Sequence, residues 1–94
     1  MIYTVVVSLG KDSTIGPETY PIAHDCEISE LFKEVAKWID LPVENLKLMF
    51  DMEIVISDEL RGVKKVEVDP KLMLPNYVRP EEGAVVNFEV QYVN

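Results

Sequence analysis

The chain predicts an α+β domain, a mixed sheet of four to five strands wrapped around one main helix at about residues 26–39, with an extended loop or extra hairpin at about 56–71. Three observations lead there. Asp25 to Asp40 repeats its apolar residues with the period of a helix, while Ile2–Leu9 and Ala84–Tyr92 alternate with the period of a strand. The segments on either side of the helix are rich in β-branched and aromatic residues, so the helix has a sheet on which to lay its apolar stripe.

In the first segment, alternation turns Tyr3, Val5, Val7 and Leu9 to one face and Thr4, Val6 and Ser8 to the other. Gly10 to Pro17 reads as a loop from its glycines, proline and small polar residues. Glu18–Ala23 returns as a second strand, and Pro21, which has no amide hydrogen, belongs at a sheet edge or bulge. In the helix, Ile28, Leu31, Phe32, Val35, Trp38 and Ile39 share a face, and Ser29, Glu30, Lys33, Glu34 and Lys37 face water. Asp25 is the expected N-cap, with Glu27 and Glu30 near the positive end of the helix dipole. Leu41-Pro42 ends the helix, because the proline ring disfavours helical geometry in the residue before it.

Asn45–Phe50 reads as a strand, Asp51-Met52 as a turn, and Glu53–Ser57 as another strand or its stub. Lys64–Val68 alternates and is expected either to pair with Ile54–Ser57 across a turn at Asp58–Gly62 or to form an irregular excursion. Arg79 to Gly83 is a turn. The last strand then directs Val86, Phe88, Val90 and Tyr92 inward and Val85, Asn87, Glu89 and Gln91 outward. This order of elements is that of a β-grasp domain.

Ninety-four residues make one domain, 1–94. Nine Lys and Arg against seventeen Asp and Glu leave a net charge of −8, which disfavours nucleic acid and anionic membrane surfaces as partners. Arg61, Lys64, Lys65 and Lys71 are interleaved with acids and read as a solvated mixed-charge loop. The single Cys26 forms no internal disulfide and holds no metal by itself, which fits a reducing compartment. With no basic leader and no apolar run of membrane length, the expectation is a monomer of cytosol or nucleus.

From Ile22 through Val55 the chain resembles ubiquitin and its relatives without a gap. Ile22 ends the second strand, Ile28, Leu31 and Val35 mark the helix, Leu41-Pro42 follows it, and Leu48-Met49-Phe50 resembles the family's Leu-Ile-Phe strand. Leu74 and Tyr77 are similar to its Leu-x-x-Tyr before the last strand. Relative to the family, the first hairpin loop is longer by about five residues and the segment after Val55 by about a dozen, lengths that surface loops tolerate.

The resemblance implies a non-conjugating docking module. The family's conjugating members end in Gly-Gly, whereas this sequence reads Gln91-Tyr-Val-Asn94, and a modifier role is expected only if the natural chain continues to such an end. Glu53 stands where ubiquitin has its main chain-building lysine. The family's hydrophobic recognition patch maps to the outer sheet face around Met49, with Val6 and Val85 as apolar neighbours, Lys47 beside it, and Asn87 and Glu89 replacing a histidine and a valine. The resemblance implies a protein partner from the ubiquitin-proteasome machinery, met through Val6, Lys47, Met49, Val85, Asn87 and Glu89.

A second, weaker resemblance is to the acidic segment of PB1 domains. Asp51, Glu53, Asp58 and Glu59 would engage a basic partner, although Gly62 interrupts the helix expected there. No catalytic machinery is expected: His24 is a lone loop histidine, Cys26 has no histidine beside it in spacing, and there is no phosphate loop or nucleophile elbow. No cofactor or metal is expected either. Met73 is assigned to the core, Met49 to the surface, and Trp38 to the seal between helix and sheet.

Overall fold

A computed structural model describes residues 1–10, 13–81 and 83–92. Its regular elements are β1 (Ile2–Ser8), β2 (Glu18–Ala23), α1 (Ser29–Ile39), β3 (Leu46–Val55), β4 (Arg61–Glu67) and β5 (Val85–Tyr92), with single 3-10 turns at Val43–Asn45 and Leu74–Asn76. The five strands form one mixed sheet in the order β2-β1-β5-β3-β4, in which only β1 and β5 run parallel. Pro21 falls on the outermost strand β2, where a missing amide hydrogen leaves no ladder bond unmade on the solvent side.

One core joins helix to sheet. Ile28, Leu31, Phe32 and Val35 are buried against the inward residues Tyr3, Val5, Val7, Leu48, Val86, Phe88 and Val90, and Trp38 and Ile39 pack half-buried at the margin. The sequence alternation and helical period account for all of these. Leu74 is fully buried, Phe50 meets both Tyr77 and Phe88 edge to face with centroids 5.9 Å apart, and the Tyr77 hydroxyl accepts the Asp69 N–H at 2.7 Å. The fully buried Tyr3 hydroxyl donates to the Val78 carbonyl at 3.0 Å. These contacts pin the long segment before β5 beneath the sheet.

The helix begins later than Asp25. Ile28 is the N-cap and makes no side-chain capping bond, while Asp25 lies in the preceding turn. The reason is tertiary: the Ile28 and Ser29 N–H groups donate to the carbonyls of Leu72 at 2.9 Å and Pro70 at 2.8 Å, and Glu27 bridges Met73. Backbone from a distant loop satisfies the donors that a local side chain was expected to take. At the other end Asp40 adopts a left-handed conformation (φ 56°), and the Leu41 N–H returns to the Ala36 carbonyl at 3.0 Å before Pro42.

Three further expectations are corrected. There is no turn at Asp51-Met52, since β3 runs unbroken from Leu46 to Val55; the apolar alternation of Leu46, Leu48, Phe50, Met52 and Ile54 continues through Asp51. The extra hairpin exists, but Lys64 pairs with Met52 and Arg61 with Val55, so the connection is Ile56 to Leu60 rather than Asp58 to Gly62. Met73, expected in the core, and Tyr92, expected inward, are exposed, at 39% and 55%: Met73 lies on the isolated bridge to Glu27, and Tyr92 is the last residue of β5.

Candidate protein-interaction surface

The outward residues of β1, β5, β3 and β4 form one broad face opposite the helix. Its rows follow from the register. Ser8, Glu89, Met49 and Glu67 lie side by side across the four strands; Val6 neighbours Asn87, Thr4 neighbours Val85, Lys47 neighbours Gln91, and Asp51 neighbours Lys65. All six residues expected on a recognition surface, Val6, Lys47, Met49, Val85, Asn87 and Glu89, therefore share this face. They do not form one apolar patch, because Glu89 and Asn87 on β5 separate Met49 on β3 from Val6 on β1.

Met49 is half-buried inside a frame of charge. Lys65 reaches from β4 across β3 to Glu89 on β5, Nζ to Oε2 3.2 Å, and Lys47 pairs with Glu67 at 3.2 Å. Two cations and two anions thus surround one thioether, and the frame carries no net charge. Each pair is exposed and adds little stability, roughly 0–1 kcal/mol. What the pairs do is hold long side chains down along the sheet and leave a shallow cleft of about 100 Å³ lined by Ser8, Met49, Asp51, Lys65, Asn87 and Glu89. Val6 is half-buried and Val85 is 56% exposed, a second, smaller apolar spot beyond the β5 polar stripe.

The acidic segment does not form a continuous carboxylate surface. Asp51 and Glu53 lie within β3, Glu53 pairs with Arg61 at 3.1 Å, and Asp58 and Glu59 occupy the turn rather than the start of a helix. The basic residues read as a mixed-charge loop are largely strand residues, Arg61, Lys64 and Lys65 all belonging to β4. Sequence reasoning missed how far the β3–β4 hairpin extends and how apolar its end is. The signal was present in Leu46, Leu48, Phe50, Met52 and Ile54, an alternation that runs through Asp51 without a break.

His24 is exposed, with Nδ1 3.1 Å from the Met1 carbonyl oxygen, and Cys26 is half-buried with its Sγ 3.5 Å from the Glu27 carbonyl. Neither stands beside a catalytic partner. Among the described residues no group of three or more His, Cys, Asp or Glu is placed to hold a metal ion. No helix among them is long and apolar enough to cross a membrane. The Gln91 to Asn94 end is described only through Tyr92, so Asn94 lies outside the described residues.

No protein-family profile and no curated protein matches the sequence. Among solved structures, a ubiquitin from Caldiarchaeum subterraneum superposes with a TM-score of 0.58 at 12% identity, over 100% of this chain and 94% of that one. The fold is the ubiquitin-like β-grasp. In this β-grasp domain the helix is held by the sheet's inner face, and the outer face lies opposite it.

Proposed function

We propose that the domain docks a protein partner through the outer sheet face centred on Met49, and that receptors of the ubiquitin-proteasome pathway are the partner class. The observation that carries this reading is the framed methionine. A flexible, polarisable side chain at the centre of a flat face, ringed by two cations and two anions, suits a partner that inserts an apolar group and meets the frame with complementary polar groups. The likeness to a ubiquitin supports the partner class at the level of fold alone. Polar Asn87 and Glu89 beside the methionine imply a partner surface less apolar than one fitted to a continuous hydrophobic patch.

The test is a chemical-shift titration with proteasomal ubiquitin-receptor domains. Perturbations should centre on Lys47, Met49 and Val85, and Met49→Ala should weaken binding by about 1 kcal/mol or more. Titrations that leave those three residues unmoved would discard the reading. The docking is expected to depend only weakly on salt because the frame is neutral, whereas association through the Asp51–Glu59 acids would weaken steeply as salt is raised. A modifier role stays tied to glycines following Asn94.

A further inference from the structure

β3 has two halves with different neighbours. Leu46 to Phe50 pairs with β5, but from Asp51 to Val55 the register continues with β4 alone, so the hairpin leaves the sheet as a two-stranded arm. Ile54, Val55, Ile56, Leu60 and Val63, all in or beside this arm's end, are between 36% and 68% exposed. Monomeric proteins rarely expose more than a few hundred Å² of contiguous apolar surface without a use for it. An isolated two-stranded ribbon is also marginal in water, and a third strand with an apolar face makes such a ribbon stable.

The two long edges of the arm are defended unequally. The β4 edge carries Arg61, Lys64 and Lys65, the kind of charge that keeps strand edges from pairing. The β3 edge carries Asp51 and Glu53 near its base but ends in Ile54-Val-Ile56 with no charge among them. Its hydrogen-bonding direction is fixed by bonds toward β4: the Leu48 carbonyl accepts from the Val68 N–H at 2.8 Å, and the Ile56 N–H donates to the Leu60 carbonyl at 3.0 Å. Alternation then turns the backbone groups of Glu53 and Val55 to the opposite edge, where no strand among the described residues pairs with them.

We propose that this β3 edge pairs antiparallel with the same edge of a second copy, making a two-fold dimer with a four-stranded ribbon β4-β3-β3-β4. The register that suits the sequence is symmetric about Ile54. It sets Glu53 of each copy opposite Val55 of the other in hydrogen-bonded pairs, with the two Ile54 side chains meeting between them. Shifting the centre to Glu53 would oppose two carboxylates, and pairing the β4 edges about Lys64 would oppose two ammonium groups. In the chosen register no like charges face each other across the new ladder. Val55 and Val63 of both copies then lie on one face of the ribbon, and Ile54 of both copies lies on the other.

Sedimentation equilibrium from micromolar to millimolar concentration tests this with two charge variants. Val55 is opposite Arg61 within its own hairpin, so Val55→Glu is tolerated by the monomer, as a far-ultraviolet spectrum and melt will confirm. In the dimer, the new carboxylate would oppose Glu53 of the other copy twice, and association should weaken by about tenfold or more. Val55→Lys, made in an Arg61→Ser background because Arg61 is the residue opposite it in its own hairpin, forms two opposite-charge pairs with Glu53 instead and should keep dimer affinity within a few-fold of that background. Because each copy carries −8, the parent dimer should tighten as salt is raised. A parent that stays monomeric at millimolar concentration, or a dimer weakened equally by both variants, overturns the proposal. Neither result bears on docking at Met49, which the receptor titration reads separately.

Discussion

One strand runs through two environments. Leu46 and Leu48, in the first half of β3, are buried beside β5 and under the helix, with the Val68 backbone bonded to Leu48 on its other side; Ile54 and Val55, in the second half, stand 36% and 65% exposed. The alternation is the same in both halves. What differs is whether a second strand and a helix lie alongside, and that alone converts an aliphatic side chain from core into contact surface. Stability should therefore concentrate in the clasped body and interaction capacity in the arm and on the outer face.

The largest expected effect breaks the body. Leu31 is fully buried under the sheet, and Leu31→Ala should lower the unfolding free energy by about 2–5 kcal/mol in urea denaturation. In a domain whose whole stability is expected to be about 5–14 kcal/mol, that is a large share. Leu60→Ala at the arm's end, where the side chain is 55% exposed, should change it by less than about 0.5 kcal/mol. Equal losses at the two sites would mean that the arm is folded against something the register does not show.

Native-state hydrogen exchange sharpens the same contrast. The Met52 and Ile54 amides of the arm, which face β4, should exchange faster than β1 amides by a factor on the order of a hundred, because a two-stranded ribbon opens without disturbing the core. The measurement belongs at low concentration or in Val55→Glu, where pairing between copies does not protect the edge. Uniform protection across β1 and the arm would show a single cooperative unit.

A smaller effect reports on the body through pH. Burial raises the Tyr3 phenol above its ordinary value of 10.0, and its hydroxyl donates to the Val78 carbonyl, a bond that requires the protonated form. The folded state holds this proton more tightly than the unfolded chain, so the contribution is fully present below about pH 10 and is lost as pH rises through the folded value. Tyr20 is shifted in the same direction, by burial first and then by Glu18 and Glu34. Tyr3→Phe should cost about 1–3 kcal/mol at neutral pH by leaving the Val78 carbonyl without its donor. It should also flatten the alkaline fall in stability. A variant with the same alkaline midpoint as the parent would locate the sensitive group elsewhere.

The sequence conveyed what depends on period and missed what depends on distance along the chain. Ile28, Leu31, Phe32 and Val35 follow from a helical repeat, and the start of β2 follows from the Gly16-Pro17 punctuation just before it. Which residues share the outer face is likewise a matter of alternation. Which of them touch is a matter of register between strands far apart in sequence, and so the separation of Met49 from Val6 by Glu89 and Asn87 was not legible. The helix start failed for the same reason: Asp25 is a good local cap, but carbonyls of Pro70 and Leu72 take the donors first. Asp51-Met52 suggests a turn because aspartate is a frequent turn residue, but the apolar alternation from Leu46 to Ile54 continues through it and β3 stays unbroken.

The smallest effect asks whether body and arm are thermodynamically joined. Gly62 sits in β4 opposite Ile54, its backbone is not in the left-handed region, and a β-carbon built there would lie 3.6 Å from Ile56 Cδ1, an ordinary contact. Gly62→Ala therefore introduces no strain, reduces the freedom of the unfolded chain, and should stabilise the hairpin by about 0.4–1 kcal/mol. If the arm opens independently of the body, that gain appears as slower exchange at Met52 and Ile54 and leaves the urea midpoint of the whole domain almost unmoved. If the two halves of β3 unfold together, the midpoint rises by the full amount, because continuity of one strand is then enough to transmit stability past the last residue that β5 pairs with, Phe50.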